Sequence, residues 1–290
     1  MKLLVFGKSG QLASSLTSMN NPKLVIETKG RNEVDLLSNV SINEALVSSS
    51  PDVVINAAAY TAVDKAEDEP ERANLLNNVA VANIASAASN LNIPLVHIST
   101  DYVFDGSGNS SWKPSDKPNP IGIYGQTKLA GEKALLDNHS NAVVLRTSWV
   151  FSQHGANFVK TMLRLGVEKR ELNIVCDQIG GPTSANDIAR AVVSIAKQLK
   201  RHRSLNGVWH YSGRNDCSWA DFAKEIFKQA NIACSVNPIP SSDYPTRATR
   251  PLNSRLDCTA TETRFGIERP DWKASLGKVL EQLEWSNERS

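Results

Sequence analysis

The sequence predicts an α/β fold in which a doubly wound parallel sheet is followed by a smaller α+β region at the carboxyl end. Five short apolar segments alternate with longer helical patterns as far as Arg146, and this order is typical of strand–helix–strand units. A glycine turn follows the first of these segments. Beyond Arg146 the alternation loosens. We therefore expect one domain over residues 1–150 and a second, less regular region over residues 151–290.

The strand candidates are short, rich in Val, Ile and Leu, and bounded by Gly, Pro or polar residues, as strands buried on both faces are. They are Lys2–Phe6, Leu24–Glu27, Asp52–Asn56, Pro94–Ser99 and Ala142–Arg146. The helical candidates between them are Gln11–Met19, Val40–Ser48, Pro70–Leu91 and Tyr124–Asp137. Two more amphipathic helices are expected at Asp187–Lys200 and Trp219–Gln229. The first of these two could pack on the first domain, which would interleave the boundary.

Composition and charge exclude several classes of protein. The 32 Lys and Arg residues nearly balance the 30 Asp and Glu residues, whereas proteins that bind nucleic acid usually show a basic excess. The 4 cysteines form no CxxC pair and the 5 histidines are scattered, so neither a disulfide framework nor a metal site is predicted. No segment approaches the roughly 18 apolar residues of a membrane span, and the first apolar run is too short for a secretory leader. We expect a cytoplasmic protein without nucleic-acid or membrane partners.

The first strand candidate runs into the glycine turn Gly7-Lys8-Ser9-Gly10-Gln11-Leu12-Ala13, which opens a helix. Side chains at Gly7 and Gly10 would keep a pyrophosphate away from the backbone N–H groups at the helix N-terminus. Two glycines also occur in many strand-to-helix turns that bind nothing. The position at the first such turn of the chain favours a dinucleotide site, as in Rossmann-type folds.

The end of the second strand candidate bears on the choice of dinucleotide. An acidic residue there favours the free 2′-hydroxyl of NADH, and a cation accommodates the 2′-phosphate of NADPH. The segment reads Glu27-Thr28-Lys29-Gly30-Arg31. Lys29 and Arg31 favour NADPH, while Glu27 leaves NADH as an alternative.

A tyrosine and a lysine four residues apart mark the candidate catalytic helix. Tyr124 and Lys128 would share one helix face. A charged amine at ~4 Å is worth up to ~4 kcal/mol, so Lys128 could lower the pKa of Tyr124 by at most about three units, against the opposing effect of burial. Thr100 follows the fourth strand candidate, at the sheet edge where open α/β folds bind ligands. The three residues together predict acid-assisted reduction of a carbonyl group.

With these residues the chain resembles the extended short-chain dehydrogenases/reductases and, within them, the dTDP-4-dehydrorhamnose reductase family. The matching motifs occur in order along nearly the whole chain. They are FGKSGQL at 6–12, NAAAYTAVDKAE at 56–67, STDYVFDG at 99–106, YGQTKLAGEKAL at 124–135, RTSWVF at 146–151, NFVKTML at 157–163, DQIGGPT at 177–183 and RPLNSRLD at 250–257.

The resemblance implies NADPH- or NADH-dependent reduction of the C4 ketone of dTDP-4-dehydro-L-rhamnose to dTDP-L-rhamnose, a step of polysaccharide biosynthesis. It implies that Tyr124 donates the proton, that Lys128 binds the nicotinamide ribose and tunes Tyr124, and that Thr100 orients the sugar. The other implied cofactor contacts are Gly10, Gln11, Leu12, Asp35, Leu36, Ala58, Ala59 and Tyr60. The implied substrate contacts are Thr100, Asp101 and Trp149.

Three arginines, Arg247, Arg250 and Arg255, lie in a segment rich in Pro, Arg and Ser near the carboxyl end. Their guanidinium groups suit a diphosphate, although pairing with acidic side chains explains them equally well. We expect at least one of them to bind the dTDP diphosphate, with Arg250 as the candidate.

Two departures from the family pattern affect the expectations. Ala13 replaces the third glycine of the first turn, which the fingerprint tolerates. Some family members form a dimer bridged by a metal between glutamates, and the corresponding residues here are Ser15 and Asn186. Neither supplies a carboxylate for Mg²⁺. We therefore expect a monomer, or a weak homodimer that does not depend on this metal.

Two alternatives stay open at this point. The chain could reduce a different nucleotide-linked 4-keto sugar, because pocket residues such as Trp149 decide that choice. It could also be a non-catalytic binding subunit, since relatives of the family are regulatory partners of methionine adenosyltransferase. The presence of Thr100, Tyr124 and Lys128 together favours catalysis.

Overall fold

The computed structural model describes residues 1–202 and 205–285. The strands are β1 (Lys2–Phe6), β2 (Val25–Lys29), β3 (Val53–Asn56), β4 (Leu95–Thr100), β5 (Ala142–Thr147), β6 (Val150–Phe151), β7 (Glu171–Val175), β8 (Ile179–Gly180), β9 (Thr183–Ser184), β10 (Gly207–His210), β11 (Cys217–Ser218), β12 (Ser235–Ile239) and β13 (Asn253–Ser254). The α-helices are α1 (Gln11–Thr17), α2 (Asn39–Ser49), α3 (Val63–Ala66), α4 (Pro70–Asn74), α5 (Ala80–Asn90), α6 (Ile123–Asn138), α7 (Phe158–Glu168), α8 (Ala185–Leu199), α9 (Trp219–Gln229), α10 (Thr259–Phe265) and α11 (Trp272–Gln282).

The main sheet has six parallel strands in the order β10-β5-β4-β3-β1-β2. This order confirms the predicted doubly wound parallel sheet. The chain runs outward from β1 to β2 and then returns to place β3 on the other side of β1. Because the strand order reverses between β1 and β3, a crevice opens at their carboxyl ends, where such sheets bind ligands.

Side chains that alternate along the strands of the sheet pack into two apolar cores, one on each face. Leu3 and Val5 of β1 face the layer formed by α1 and α8. Leu4 and Phe6 of the same strand face the layer formed by α2 and α5. Burial on both faces explains why the strands lack polar alternation in the sequence.

Residues far along the chain also join the first unit. Helix α8, capped at Ser184 by a side chain that accepts from the N–H of Asn186, packs on α1 and on the sheet. Strand β10 pairs with β5 as the sixth strand. A separate core between α7, α9 and α11 contains Phe151, Phe222 and Trp272, together with short strand pairs.

The predicted helix over residues 70–91 is helical through residue 90 but contains a π turn, and helices α7, α10 and α11 were not predicted. Helices α4 and α5 are separated by a π-helical turn at Leu75–Val79. Inside this turn the fully buried amide of Asn77 is bonded to the backbone of Tyr60 and to Thr127. These are long-range contacts, and helical periodicity contains no sign of them.

Helix α6 lies unusually close to its neighbours. A side chain at Gly125 would overlap the carbonyl oxygen of Tyr102, and one at Gly131 would overlap the carbonyl oxygen of Asn77. The two glycines therefore let α6 contact backbone directly and place its first turn against the end of β4. Among residues 1–202 and 205–285, no helix has the length and apolar character that crossing a membrane requires.

Candidate active site

The turn after β1 has the geometry that a pyrophosphate requires. Gly7 has φ +109°, and a Cβ there would meet the backbone of Ala57 and Ala58 at 3.1 Å. Gly10 precedes α1 without a side-chain cap, and no atom lies within 4 Å of the place where its side chain would begin. Free N–H groups beside open space at a helix N-terminus suit a phosphate. The residues of this turn therefore fit a dinucleotide.

The next two residues of this turn offer the cofactor only their backbone. The side-chain Oε1 of Gln11 accepts hydrogen bonds from Ser152 Oγ at 2.8 Å and from Asn157 Nδ2 at 3.1 Å. Leu12 is buried in the core below the sheet. The bonds from Gln11 also tie the glycine turn to the segment that follows β6.

Glu27, the acidic residue near the end of β2, is already paired with neighbouring side chains. Glu27 accepts from Ser49 Oγ at 2.8 Å and forms ion pairs with Lys2 and Lys29, each at 3.0 Å. The Ser49 hydrogen bond is the main reason why the pKa of Glu27 falls to about 2. Glu27 and Lys29 are therefore engaged with each other, and neither is free for a ribose.

Arg31 is the cation left without a partner in this region. Its side chain is exposed and has no hydrogen bond or ion pair to any described residue. Nearby, Glu33 Oε2 accepts from Gly30 N at 2.9 Å and from Lys8 Nζ at 3.0 Å. An unpaired guanidinium at the end of β2 fits a 2′-phosphate.

The remaining predicted cofactor residues line the loops after β2 and β3. Asp35 is exposed and accepts from the N–H of Leu37, and the carbonyl of half-buried Leu36 accepts from Asn83. Ala58 and Ala59 are partly exposed, next to the glycine turn. Tyr60 is buried, and its hydroxyl donates to Glu69 at 2.9 Å.

The predicted catalytic side chains come together at the carboxyl end of β4. Thr100 Oγ1 accepts from the N–H of Tyr102 at 3.2 Å and donates to Asp101 Oδ1 at 3.1 Å. A hydrogen bond with Thr100 also lowers the pKa of Tyr124, although burial outweighs it and raises that pKa to about 12. The ring of Tyr102 meets that of Tyr124 edge to face at 5.5 Å between centroids.

Lys128 does not have the partner we expected. Its Nζ donates to the carbonyl of Ile98 at 2.7 Å and lies 3.2 Å from His97 Nε2. Burial lowers the pKa of Lys128 to about 8. The expectation that Lys128 lowers the pKa of Tyr124 is wrong for this structure, because the lysine is held by β4 and desolvation of the half-buried phenol raises its pKa.

Three buried polar atoms beside this cluster have no hydrogen-bond partner. They are Ser99 Oγ, Asp101 Oδ2 and Thr147 Oγ1, at the adjoining ends of β4 and β5. Burial raises the pKa of Asp101 to about 6, against hydrogen bonds from Ser254 and Thr100. Buried polar groups are rarely left unpaired, and these suit the hydroxyl groups of a sugar.

The side chains predicted to bind the substrate lie on elements of both regions. Trp149, with φ +50°, stacks on Trp219 at 3.6 Å between ring centroids. Arg250 donates to both carboxylate oxygens of Asp64, at 3.1 and 2.7 Å. Arg247 forms an ion pair with Asp68. Two of the three arginines thus show the acid pairing that the sequence left as the alternative to a diphosphate site, whereas Arg255 donates to the side-chain oxygen of Asn253.

Comparison with known proteins agrees with this geometry. The sequence model of the family described as "RmlD substrate binding domain" matches residues 1–285. A dTDP-4-dehydrorhamnose reductase of Sinorhizobium fredii is 43% identical over 286 residues, which cover 97% of each chain. The chain belongs to the dTDP-4-dehydrorhamnose reductase family.

Solved structures of the family have the same fold. The reductase of Clostridium acetobutylicum superposes with a TM-score of 0.93 at 35% identity, covering 98% of this chain and 100% of that one. The reductase of Bacillus anthracis, solved in complex with NADP, superposes with a TM-score of 0.90 at 35% identity, covering 97% and 99%.

Sequence reasoning missed four buried or stacked residues of this reductase-family site. His97 and Asn56 contact each other behind Lys128, Asn77 joins the Tyr60 loop to α6, and Trp219 stacks on Trp149. His97 carried a usable signal, since a histidine inside the apolar run of β4 must be bonded to something. The other three lie in predicted elements, but the pattern does not show which partners they meet, and only the fold brings them to the site.

Proposed function

We propose that this protein is an NADPH-dependent reductase that converts the C4 ketone of dTDP-4-dehydro-L-rhamnose to the alcohol of dTDP-L-rhamnose. The observation that carries the proposal is the cluster of Thr100, Asp101 and Tyr124 at the carboxyl end of β4, on the same edge of the parallel sheet as the glycine turn after β1. The substrate in this proposal is taken from the relatives that are named as dTDP-4-dehydrorhamnose reductases. NADH remains the alternative to NADPH as the cofactor.

The cofactor would lie across the carboxyl ends of β1 and β3. Gly7, Gly10 and the backbone N–H groups of Gln11 and Leu12 would hold its pyrophosphate. Asp35, Leu36 and Arg31 would surround the adenosine, and Ala58, Ala59 and Tyr60 would line the passage to Lys128 and Tyr124. When bound, NADPH supplies the hydride that reduces the ketone.

Tyr124 is the proton donor in this proposal. Burial raises the pKa of Tyr124 to about 12, so the phenol is protonated at neutral pH. Thr100 would hold the ketone oxygen against the phenol, and Lys128 would bind the nicotinamide ribose. The unpartnered oxygen of Asp101 would accept a sugar hydroxyl, and Trp149 would pack on the sugar ring.

The proposed division of the chain follows from this arrangement. Residues 1–150 would bind the cofactor, and residues 151–290 would mainly bind the dTDP-sugar. Helix α8 and strand β10 are exceptions, because they pack on the first unit. Arg250 would leave Asp64 to bind the diphosphate of the substrate.

The decisive experiment follows NADPH oxidation by absorbance with purified protein. dTDP-4-dehydro-L-rhamnose is compared with other nucleotide-linked 4-keto sugars at equal concentration. We expect the highest kcat/KM with the dTDP-rhamnose precursor. Faster turnover of another 4-keto sugar would reassign the substrate, and no turnover of any of them would favour the non-catalytic binding subunit.

Assembly is proposed not to depend on the metal bridge of some relatives. Ser15 is buried, and Asn186 donates to Gln153 and Gln282, so neither position offers a carboxylate. We expect the oligomeric state measured by solution scattering to be the same with and without EDTA. A change from dimer to monomer on adding EDTA would contradict this.

A further inference from the structure

A chain of buried polar side chains runs behind the candidate catalytic lysine. Asn56 on β3, His97 on β4 and Lys128 on α6 are at most 2% exposed. Asn56 Nδ2 lies 3.1 Å from His97 Nδ1, and His97 Nε2 lies 3.2 Å from Lys128 Nζ. The order of donors and acceptors along these three side chains determines which of their nitrogen atoms carry a hydrogen.

The backbone of the cofactor loop orients the first member. The N–H of Ala58 donates to Asn56 Oδ1 at 3.1 Å. The other end of the amide, Nδ2, is therefore the donor that faces His97, and His97 Nδ1 must accept. Burial holds the pKa of His97 well below its ordinary value, so the ring is neutral and carries one N–H. That hydrogen is on Nε2.

The Nε2–H of His97 faces Lys128, and this restricts the form of the lysine. An ammonium group has three donors and no lone pair, so it cannot accept this hydrogen bond. A neutral amine can accept from His97 Nε2 and still donate to the carbonyl of Ile98 at 2.7 Å. We propose that His97 favours the neutral amine of Lys128 in the protein without cofactor, so that Lys128 loses its proton well below the ordinary lysine range, which makes His97 a positioning residue for Lys128.

The charged groups around Lys128 do not replace this partner. Glu132, one turn further along α6, favours the ammonium form, but it is bound to Arg146 of β5 through a buried ion pair of 2.6 Å. Tyr124, on the preceding turn, is protonated and neutral. Burial lowers the pKa of Lys128 to about 8, in the same direction as the hydrogen-bond argument.

Charging Lys128 has a consequence at the cofactor loop. His97 Nε2 must then accept, so the ring hydrogen moves to Nδ1 and Asn56 must present its oxygen there. This turns the amide and releases the N–H of Ala58, next to the glycine turn. The charge on Lys128 and the free N–H of Ala58 are therefore linked. Any effect of this link on cofactor binding or on the rate of reduction rests on the proposed function. The protonation state of Lys128 does not.

The test measures the titration of Lys128 in the protein without cofactor. Carbon-13 in the lysine Cε groups reports each amine by NMR, and the Lys128 signal is the one lost in Lys128→Met. We expect its midpoint near pH 8, against 10.5 for an ordinary lysine. A midpoint equal to those of the exposed lysines would overturn the proposal. If Lys128→Met does not fold, the signal lost in Lys128→Arg makes the same assignment.

Two variants test the role of His97. In His97→Gln the side-chain oxygen can accept from an ammonium group, so the midpoint of Lys128 should rise by more than one pH unit. Asn56→Asp should act in the same direction, because a carboxylate accepts the hydrogen from Nδ1 and makes Nε2 an acceptor. His139→Gln, at a buried histidine bonded to Ile93 and Asn141, is the control and should not shift it.

The result can be separated from the success of the proposed function. An unchanged midpoint in folded His97→Gln and Asn56→Asp would overturn the role of His97, whatever the enzyme reduces. A shifted midpoint would support it even if dTDP-4-dehydro-L-rhamnose were not the substrate. Where reduction is measurable, the pH profile of kcat/KM should move with the NMR midpoint in His97→Gln and not in His139→Gln.

Discussion

Tyr124 lies in a mostly apolar setting with Thr100 as its hydrogen-bond partner, and its pKa is raised to about 12. Reduction of a ketone needs a protonated donor, so a raised pKa keeps the group in its working form across the neutral range. Positioned acid catalysis is commonly worth ~10²–10⁴-fold in rate. The geometry of Thr100 and Tyr124, rather than a lowered pKa, is the feature that suits the reaction.

Tyr124→Phe should therefore lower kcat by roughly 10²–10⁴-fold and leave NADPH affinity nearly unchanged. The rate is measured as NADPH oxidation and the affinity by titration of cofactor fluorescence. Tyr102→Phe is the matched control, since Tyr102 is the neighbouring half-buried phenol and has no assigned role. A Tyr124→Phe enzyme that kept more than about a tenth of wild-type turnover would exclude Tyr124 as the donor.

The buried carboxylate of Asp101, in the same site, lowers the stability of the folded protein. Its pKa is raised to about 6 from an ordinary 3.8, chiefly by burial. Between these two values the folded state binds more protons than the unfolded state, so the free energy of unfolding falls as the pH rises through this window. The charged carboxylate is retained at neutral pH although it destabilises the protein.

Asp101→Asn should remove this pH dependence. Relative to wild type, its free energy of unfolding should rise by about 3 kcal/mol between pH 4 and pH 8, because a shift of about two pKa units is worth that much. Urea denaturation at several pH values measures the difference. Parallel curves for the two proteins would show that Asp101 is not buried as a charge.

At the scale of the element, the end of β2 and the loop after it carry four charged side chains between residues 27 and 33. Glu27 and Lys29 form an ion pair within the strand. Glu33 accepts hydrogen bonds from Lys8 and from the N–H of Gly30. Arg31 is left over and exposed. The element therefore has one cation to offer a 2′-phosphate, with a carboxylate two residues away that would compete for it.

Arg31→Ala should raise the Kd of NADPH at least tenfold and leave that of NADH unchanged, because a charge-assisted contact is worth ~1.5–3 kcal/mol. Glu33→Gln should act in the opposite direction. Both constants are measured by cofactor fluorescence. Lys23→Ala removes an exposed cation before the other end of β2 and serves as the control. Equal losses for both cofactors in Arg31→Ala would refute the assignment.

At the scale of the whole molecule, the segment around residues 247–250 is bound to α3 and the residues after it. Arg250 and the N–H of Ala248 both bind Asp64, and Arg247 binds Asp68. A second tie joins Gln11 of α1 to Ser152 and Asn157. The two regions are thus bonded to each other at two separate places.

Comparison of Arg250→Ala with Asp64→Asn separates a substrate role from this structural one. If Arg250 binds the diphosphate, Arg250→Ala should raise KM for the dTDP-sugar about tenfold or more, by loss of a charge-assisted contact. Asp64→Asn leaves the guanidinium free, and KM should stay the same or fall. Similar KM values in wild type and Arg250→Ala would remove Arg250 from the substrate site.

The sequence by itself determined five of the six strands of the parallel sheet, the main helices between them, helices α8 and α9, and the residue types at the end of β4, because buried strands, glycine turns and amphipathic helices follow local rules. Helix α9 was predicted to the residue at Trp219–Gln229. The tertiary structure alone decided the partner of Lys128, the π turn around Asn77 and the engagement of Arg250 with Asp64. These depend on groups brought together from distant parts of the chain, and their pKa values and hydrogen bonds depend on burial, which no local pattern contains.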